Sequence, residues 1–169
     1  DIEAGTLGRI MSAYFRLNDT VSVPTGMLSW SRESSILWFL GSHTVDTLRY
    51  LLADEVERVY AVSRSEVLKA RGYDVPDLYQ SVLEFRSGVV ATIENNWIVP
   101  TTNPMVNDFK VNILGSKGMV NMDLTNNQMF ERYLETTADH PDCMVKPPVR
   151  DRHVGFAYEA IRDFVECLA

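Results

Sequence analysis

His43 and Asp46 are the residues of this chain best suited to moving a proton, and they stand three apart in the stretch Leu37-Trp-Phe-Leu-Gly-Ser-His-Thr-Val-Asp-Thr-Leu-Arg-Tyr-Leu-Leu52. An imidazole titrates at about 6.5 when unperturbed, which suits a general acid or base at neutral pH. Residues three apart lie side by side on a helix surface. The plain alternative for His43 is a hydrogen-bonded core histidine, and for Asp46 a local partner of a neighbouring element.

The stretch that must position them has no proline and one glycine. Its apolar residues Leu37, Leu40, Val45, Leu48 and Leu52 recur at helical spacing, which predicts a helix over 37–52 with one buried face. Trp38, Phe39, Tyr50 and Leu51 are expected to widen that face. Gly41 costs about 1 kcal/mol against alanine inside a helix, so a close approach by another backbone or a ligand is expected there. Ser34 or Ser35 is expected to cap the helix, with Glu33 near its positive end.

The remaining chain alternates as short strands. These are expected at Arg9–Leu17, Val56–Ser63, Leu78–Phe85, Val89–Trp97, Phe109–Ile113, Met119–Asp123 and Met129–Leu134. Asn18–Gly26 and Ser65–Pro76 read as irregular, and Thr101–Asn103 as a loop between prolines. Arg86-Ser-Gly88 is a hairpin turn, with Gly88 supplying a positive φ. Gly115-Ser-Lys-Gly118 and Asn126–Asn127 read as further turns, and Thr136–Arg152 as a polar loop. Val89, Ala91, Ile93, Asn95 and Trp97 share one strand face, and Asn96 points the other way. A last helix from about Val154 should bury Phe156, Ala160, Ile161, Phe164, Val165 and Leu168. Together these elements predict an α+β fold with an open, mainly antiparallel sheet and helices on one face. Tyr14, Leu83, Phe85, Ile93, Trp97, Phe109 and Ile113 exceed what two helices cover. That surplus predicts a homo-oligomer through the sheet face.

The chain has 169 residues, 46% hydrophobic and 23% charged, which fits one globular domain over 1–169. Its net charge of −7 argues against nucleic acid and anionic membrane as partners. The longest apolar run, Ile36–Leu40, is far below the ~18 residues of a membrane span. Cys143 and Cys167 form no CxxC, which fits a reducing, cytoplasmic compartment, and His43, His140 and His153 show no metal-ligand spacing. GxGxxG, GxxxxGK[ST] and GxSxG are all absent from the sequence. The start at Asp1 and the end at Cys167-Leu-Ala169, without a helix stop signal, read as an excised domain.

The ordered series Gly-x-Leu-Gly-Arg-Ile, Trp30 with Arg32, Leu-Gly-Ser-His-Thr-Val-Asp-Thr-Leu-Arg-Tyr-Leu-Leu, Glu-Phe-Arg-Ser-Gly-Val-Val-Ala-Thr-Ile and Val-Asn-Ile-Leu-Gly-Ser-Lys-Gly-Met-Val resembles the C-terminal domain of the glucose–fructose oxidoreductase / inositol dehydrogenase / rhizopine catabolism (Gfo/Idh/MocA) family. The resemblance implies a glyceraldehyde-3-phosphate dehydrogenase-like α+β domain that binds a small sugar-like substrate and dimerises through its open sheet. It also implies an N-terminal Rossmann domain, absent here with the extreme C-terminus, that carries NAD or NADP and a lysine of a Glu-Lys-Pro motif. The fragment itself is expected to bind no cofactor and to be inactive alone.

The family pattern Asp-x-Gly-x-His-x-x-Asp places its histidine on His43, its glycine on Gly41 and its second aspartate on Asp46. Its first aspartate falls on Phe39, a departure that bears on polyol specificity and on activity. The implied reaction is oxidation of an alcohol to a ketone, with the hydride passing to the nicotinamide and His43 taking the proton. Trp30, Arg32, Asp46, Asn96, Trp97 and Asn103 are the candidate substrate-binding residues. A non-catalytic relative, kept for metabolite sensing or oligomerisation, is the competing reading, and Phe39 favours it.

Overall fold

Strand β1, Ile10–Asp19, lies at the centre of the sheet, with parallel β4 on one side and antiparallel β5 on the other. A computed structural model describes residues 1–103, 105–124, 130–134, 138–139, 148–149, 152–153 and 156–168. After β1 come a π-helical turn at Val23–Met27 and a 3-10 turn at Ser31–Glu33. A second π turn, Leu37–Gly41, runs directly into α1, Ser42–Leu52. Then follow β2 (Val56–Arg64), α2 (Val67–Ala70), β3 (Leu78–Phe85), β4 (Val90–Asn96), β5 (Asn107–Gly115), β6 (Gly118–Asp123) and β7 (Phe130–Leu134). Short pieces β8 (Ala138–Asp139), β9 (Pro148–Val149) and β10 (Arg152–His153) lead to α3, Phe156–Glu166. The sheet order is β2-β3-β4-β1-β5-β6-β7-β8, with β1–β4 its parallel pair. The predicted α+β class with a mainly antiparallel sheet therefore holds. The predicted turn at Asn126–Asn127, together with His140 and Cys143, lies outside the described residues.

Alternation sorts the sheet into two unlike faces. Ala13, Phe15 and Leu17 of β1, Leu83 and Phe85 of β3, Ala91 and Ile93 of β4, and Val111 and Ile113 of β5 form one core with Leu48 of α1 and Leu7 of the N-terminal segment. A second core gathers Val21, Ile36, Leu68, Val75 and Trp97. The opposite face is polar. There Glu94 accepts from Tyr14 Oη at 3.2 Å and from Asn18 Nδ2 at 2.7 Å, and Arg16 pairs with Asp108.

This corrects the predicted apolar surplus. Of the residues it counted, Leu83, Phe85, Ile93, Trp97, Phe109 and Ile113 belong to the two cores, and Tyr14 alone lies on the polar face. The N-terminal segment and the segments that carry Val21, Ile36 and Val75 cover what α1 does not.

Other expectations shift with the structure. β1 extends through Asn18 and Asp19 into the predicted loop, and the predicted irregular stretch Ser65–Pro76 holds α2. The helix cap is Ile36, without a side-chain hydrogen bond; Ser35 contributes its carbonyl, which accepts from Phe39 N. Trp38 and Tyr50 do not widen the buried face, being 77% and 83% exposed. They share a four-residue stripe with Ser42 and Asp46, opposite Gly41, Thr44 and Leu48. Ala160, Ile161, Phe164 and Val165 of α3, and Leu168 in the turn after it, are exposed rather than buried. The hairpin at Arg86-Ser-Gly88 stands as predicted, with Gly88 at φ +88°.

α2 is too short to hold itself. The buried Asp77 carboxylate accepts from the backbone N–H groups of Glu66 (2.6 Å), Val67 (2.7 Å) and Leu68 (2.7 Å), seating the fully buried Leu68. Asp77→Ala strips all three donors of their partner. Such a change is expected to cost about 2–4 kcal/mol, read as a lower urea midpoint with an unchanged m-value. A loss under about 0.5 kcal/mol contradicts this account.

Candidate functional site

The parallel ladder between β1 and β4 stops at Arg16 and Glu94. Just beyond it side chains bridge the strands, before backbone bonds resume from Val99 N to Asp19 O and from Val21 N to Val99 O. Asn95 Nδ2 donates to Leu17 O at 2.9 Å, and Asn96 N–H donates to Asn18 Oδ1 at 2.8 Å. Trp97 Nε1 donates to Asp19 Oδ2 at 3.3 Å. Polar side chains thus gather at a short break in the parallel pairing, where they take up backbone groups such as Leu17 O and Asn96 N–H.

α1 docks on this seam. Asn95 and Thr44 are both fully buried, and Thr44 Oγ1 lies 2.8 Å from Gly41 O and 3.4 Å from Asn95 Oδ1. A Cβ built on Gly41 would stand 3.2 Å from Asn95 Oδ1 and 2.7 Å from Leu37 Cδ1. The close approach expected at Gly41 is therefore to the Asn95 amide and to Leu37. The π turn just before α1 adds a residue to the turn and changes the phase of what precedes Ser42; such turns are frequent at functional sites. The outcome is that His43 is exposed on the first turn of α1, with Asp46, also exposed, three residues on.

An aromatic group adjoins the same turn. Phe39, one turn before His43, is half-buried, with its ring centroid 5.4 Å from Trp30 at 69° and 6.1 Å from Trp97. Trp97 has no exposed surface, whereas Trp30 keeps 41% of its own. Burial pushes the Asp19 carboxyl up to about 6, against the opposing pull of the Trp97 hydrogen bond. Sequence reading missed Asp19, Asn95 and Thr44. The signal was present: Asp19 continues the inward alternation of Ala13, Phe15 and Leu17.

The other predicted residues lie apart. Arg32 donates to Gly72 O and stacks 3.9 Å from the Tyr73 ring centroid. Asn96 is on the polar sheet face, its Nδ2 donating to Glu94 Oε1 at 3.2 Å. Asn103 Nδ2 donates to Met105 O at 2.7 Å within its own loop. The structure thus joins Trp30 and Trp97 through Phe39 beside the turn that carries His43 and Asp46; Arg32 follows Trp30 by two residues and lies over Tyr73, while Asn96 bonds on the polar face and Asn103 within its loop.

The described residues do not fit a dinucleotide site. Such a site needs a strand, a glycine-rich turn and a helix N-terminus in sequence. Gly5-Thr-Leu-Gly8 leads into β1 instead, and Gly115-Ser-Lys-Gly118 joins β5 to β6 as a hairpin.

The profile of the GFO/IDH/MocA C-terminal domain matches residues 2–121, so the chain belongs to that oxidoreductase family. Three solved structures share the fold. A putative oxidoreductase from Thermotoga maritima aligns with a TM-score of 0.71 at 15% identity, over 96% of this chain and 47% of its own. Levoglucosan dehydrogenase, in complex with NADH and L-sorbose, aligns at 0.66 and 22%, over 92% and 42%. The myo-inositol 2-dehydrogenase of Lactobacillus plantarum aligns at 0.62 and 17%, over 72% and 36%. The chain spans less than half the length of each of these proteins.

Asp19 makes the stability of this region depend on pH. Its folded-state value is raised from 3.8 to about 6, so the contribution of the neutral form is complete below about 4 and is lost as pH rises through about 6. Asp19→Asn keeps an acceptor for Trp97 and removes the charge. After allowance for solvent screening, the variant is expected to gain on the order of 1 kcal/mol over wild type at pH 7.5 and nothing at pH 4. Paired urea melts at the two pH values measure this, and an equal effect at both contradicts it.

Proposed function

We propose that this chain is the substrate-binding and dimerisation domain of an NAD(P)-dependent oxidoreductase that interconverts an alcohol and a ketone on a sugar-like or polyol substrate. Family membership supports the oxidoreductase class. The observation that carries the reading is His43, exposed on the first turn of a helix whose depth is fixed by buried contacts among Gly41, Thr44 and Asn95. A proton-transfer group must be open to substrate and carried on a well-seated element, and an exposed residue on this helix turn suits both conditions. Relatives in this fold include a structure with NADH and levoglucosan, which supports a carbohydrate ligand and a nicotinamide nucleotide in the whole protein.

In this reading His43 takes the hydroxyl proton as the alcohol is oxidised, and returns it in the reverse direction. Asp46 stands beside it for a second substrate hydroxyl. The nucleotide supplies the redox chemistry from the part of the protein beyond this domain. Phe39 supports a second reading, a metabolite-sensing or oligomerisation domain without catalysis, because it fills with an aromatic ring the place where the family pattern carries an aspartate.

The homodimer through the open sheet would be a polar contact, built on the face that carries Tyr14, Arg16, Asn18 and Glu94. Sedimentation at tens of micromolar should then give a dimer, and a strict monomer contradicts this part of the proposal.

The decisive variant is His43→Asn in the full-length gene product. Loss of a general base lowers kcat and kcat/KM together by ~10²–10⁴-fold and removes the acid limb of the pH profile. Steady-state oxidation of sugars and inositols with NAD⁺ and NADP⁺ reads this out. Wild-type kcat at every pH in the variant contradicts the catalytic role and favours the sensor.

A further inference from the structure

We infer that Trp30 and Phe39 form an aromatic shelf that receives the C–H face of a carbohydrate ring, so that Trp30 helps to determine specificity beside His43. The inference rests on the reading of His43 given above. Three observations carry it. The two rings meet nearly edge to face, 5.4 Å apart at 69°, an arrangement in which each fixes the other. Phe39 is backed by the fully buried Trp97, itself tied to Asp19 through its indole N–H, so the shelf cannot sink into the core. Trp30 nonetheless keeps 41% of its surface open, unlike Trp97 with none.

The shelf leads within one helical turn, Phe39 to His43, to an exposed imidazole, with Asp46 three residues further on. The Trp30 indole, braced by Phe39 and bordered by a hydrogen-bonding edge, matches the two-sided chemistry of a β-gluco-configured pyranose chair, whose axial C–H groups are apolar and whose equatorial hydroxyls are polar. Neither ring offers an acceptor for a hydroxyl directed at the shelf. Burying such a hydroxyl without a partner is costly, and a site discriminates strongly through groups left unpaired. The shelf therefore selects a ring that turns few hydroxyls toward it. A protein–protein contact is the other use for an exposed tryptophan, but Trp30 is half covered by its own chain and already oriented by Phe39.

The test uses the full-length gene product with NAD⁺ or NADP⁺ and a panel of methyl β-D-glucopyranoside, 1,6-anhydroglucose, D-glucose and myo-inositol. The panel sugar with the highest kcat/KM serves as the probe. Trp30→Ala should raise its KM by about 5–10-fold and leave kcat within about threefold, since stacking acts on bound substrate and transition state alike. Trp30→Phe should recover most of the loss. Phe39→Asp should lower kcat/KM for the probe and raise the relative rate on the more hydroxylated panel members. Equal melting temperatures separate these effects from unfolding. Unchanged KM in folded Trp30→Ala, with His43→Asn inactive, overturns the shelf and leaves the catalytic reading standing. Full activity in His43→Asn, or a wild type that oxidises no panel member, overturns both.

Discussion

The Asn95 carboxamide is the constraint on which the rest of the site depends. It lies fully buried on the apolar face of the sheet, and a buried amide left unpaired costs about 1–3 kcal/mol per group. Its neighbours come from two other elements: Leu17 O on β1, which accepts from Nδ2 at 2.9 Å, and the Thr44 hydroxyl on α1, which lies 3.4 Å from Oδ1 while making its shorter bond, 2.8 Å, to Gly41 O. Satisfying one side chain therefore sets both the splay of the central strands and the depth of the helix. The absence of a side chain at Gly41 follows from that depth, since a Cβ there would press on the same amide. The exposure of His43 is then a consequence of geometry: Gly41 and Thr44 face the sheet, and the residue between Ser42 and Thr44 cannot.

The two faces of the sheet divide labour on chemical grounds. One side buries apolar side chains under α1, the N-terminal segment and the loops around Val21 and Val75. The other side exchanges hydrogen bonds among Tyr14, Asn18, Asn96 and Glu94, with Arg16 against Asp108 beside them. Both systems meet where the β1–β4 pairing is interrupted, because the break leaves backbone groups to be satisfied by side chains before pairing resumes at Thr20 and Val99. Asparagine suits this, as it offers donor and acceptor on a short stem.

Much of this was legible in the sequence, and the failures have physical causes. The hairpin at Gly88, the inward face Val89-Ala91-Ile93-Asn95-Trp97 and the helix through His43 follow from period and turn chemistry, which are local. Trp38 and Tyr50 were misplaced because size and hydrophobicity were weighed above phase: both share the stripe of Ser42 and Asp46. The apolar surplus failed because irregular segments, which carry no periodic signal, also cover the core. Asp19, Asn95 and Thr44 were missed because their roles exist only across the strand order; for Arg32, Asn96 and Asn103, polarity in a loop or strand did not reveal which neighbours they would bond.

A double-mutant cycle between Thr44→Val and Asn95→Leu, followed by urea denaturation, tests most directly that one amide couples the helix to the sheet. Residues that share a buried hydrogen-bonded contact have interaction energies of about 0.5–3 kcal/mol, whereas independent sites add to within ~0.3–0.5 kcal/mol. The structure predicts a coupling of about 1 kcal/mol or more, because either change alone already breaks the contact that the other would break. Additive losses, within that smaller margin, would contradict it and would detach the placement of His43 from Asn95.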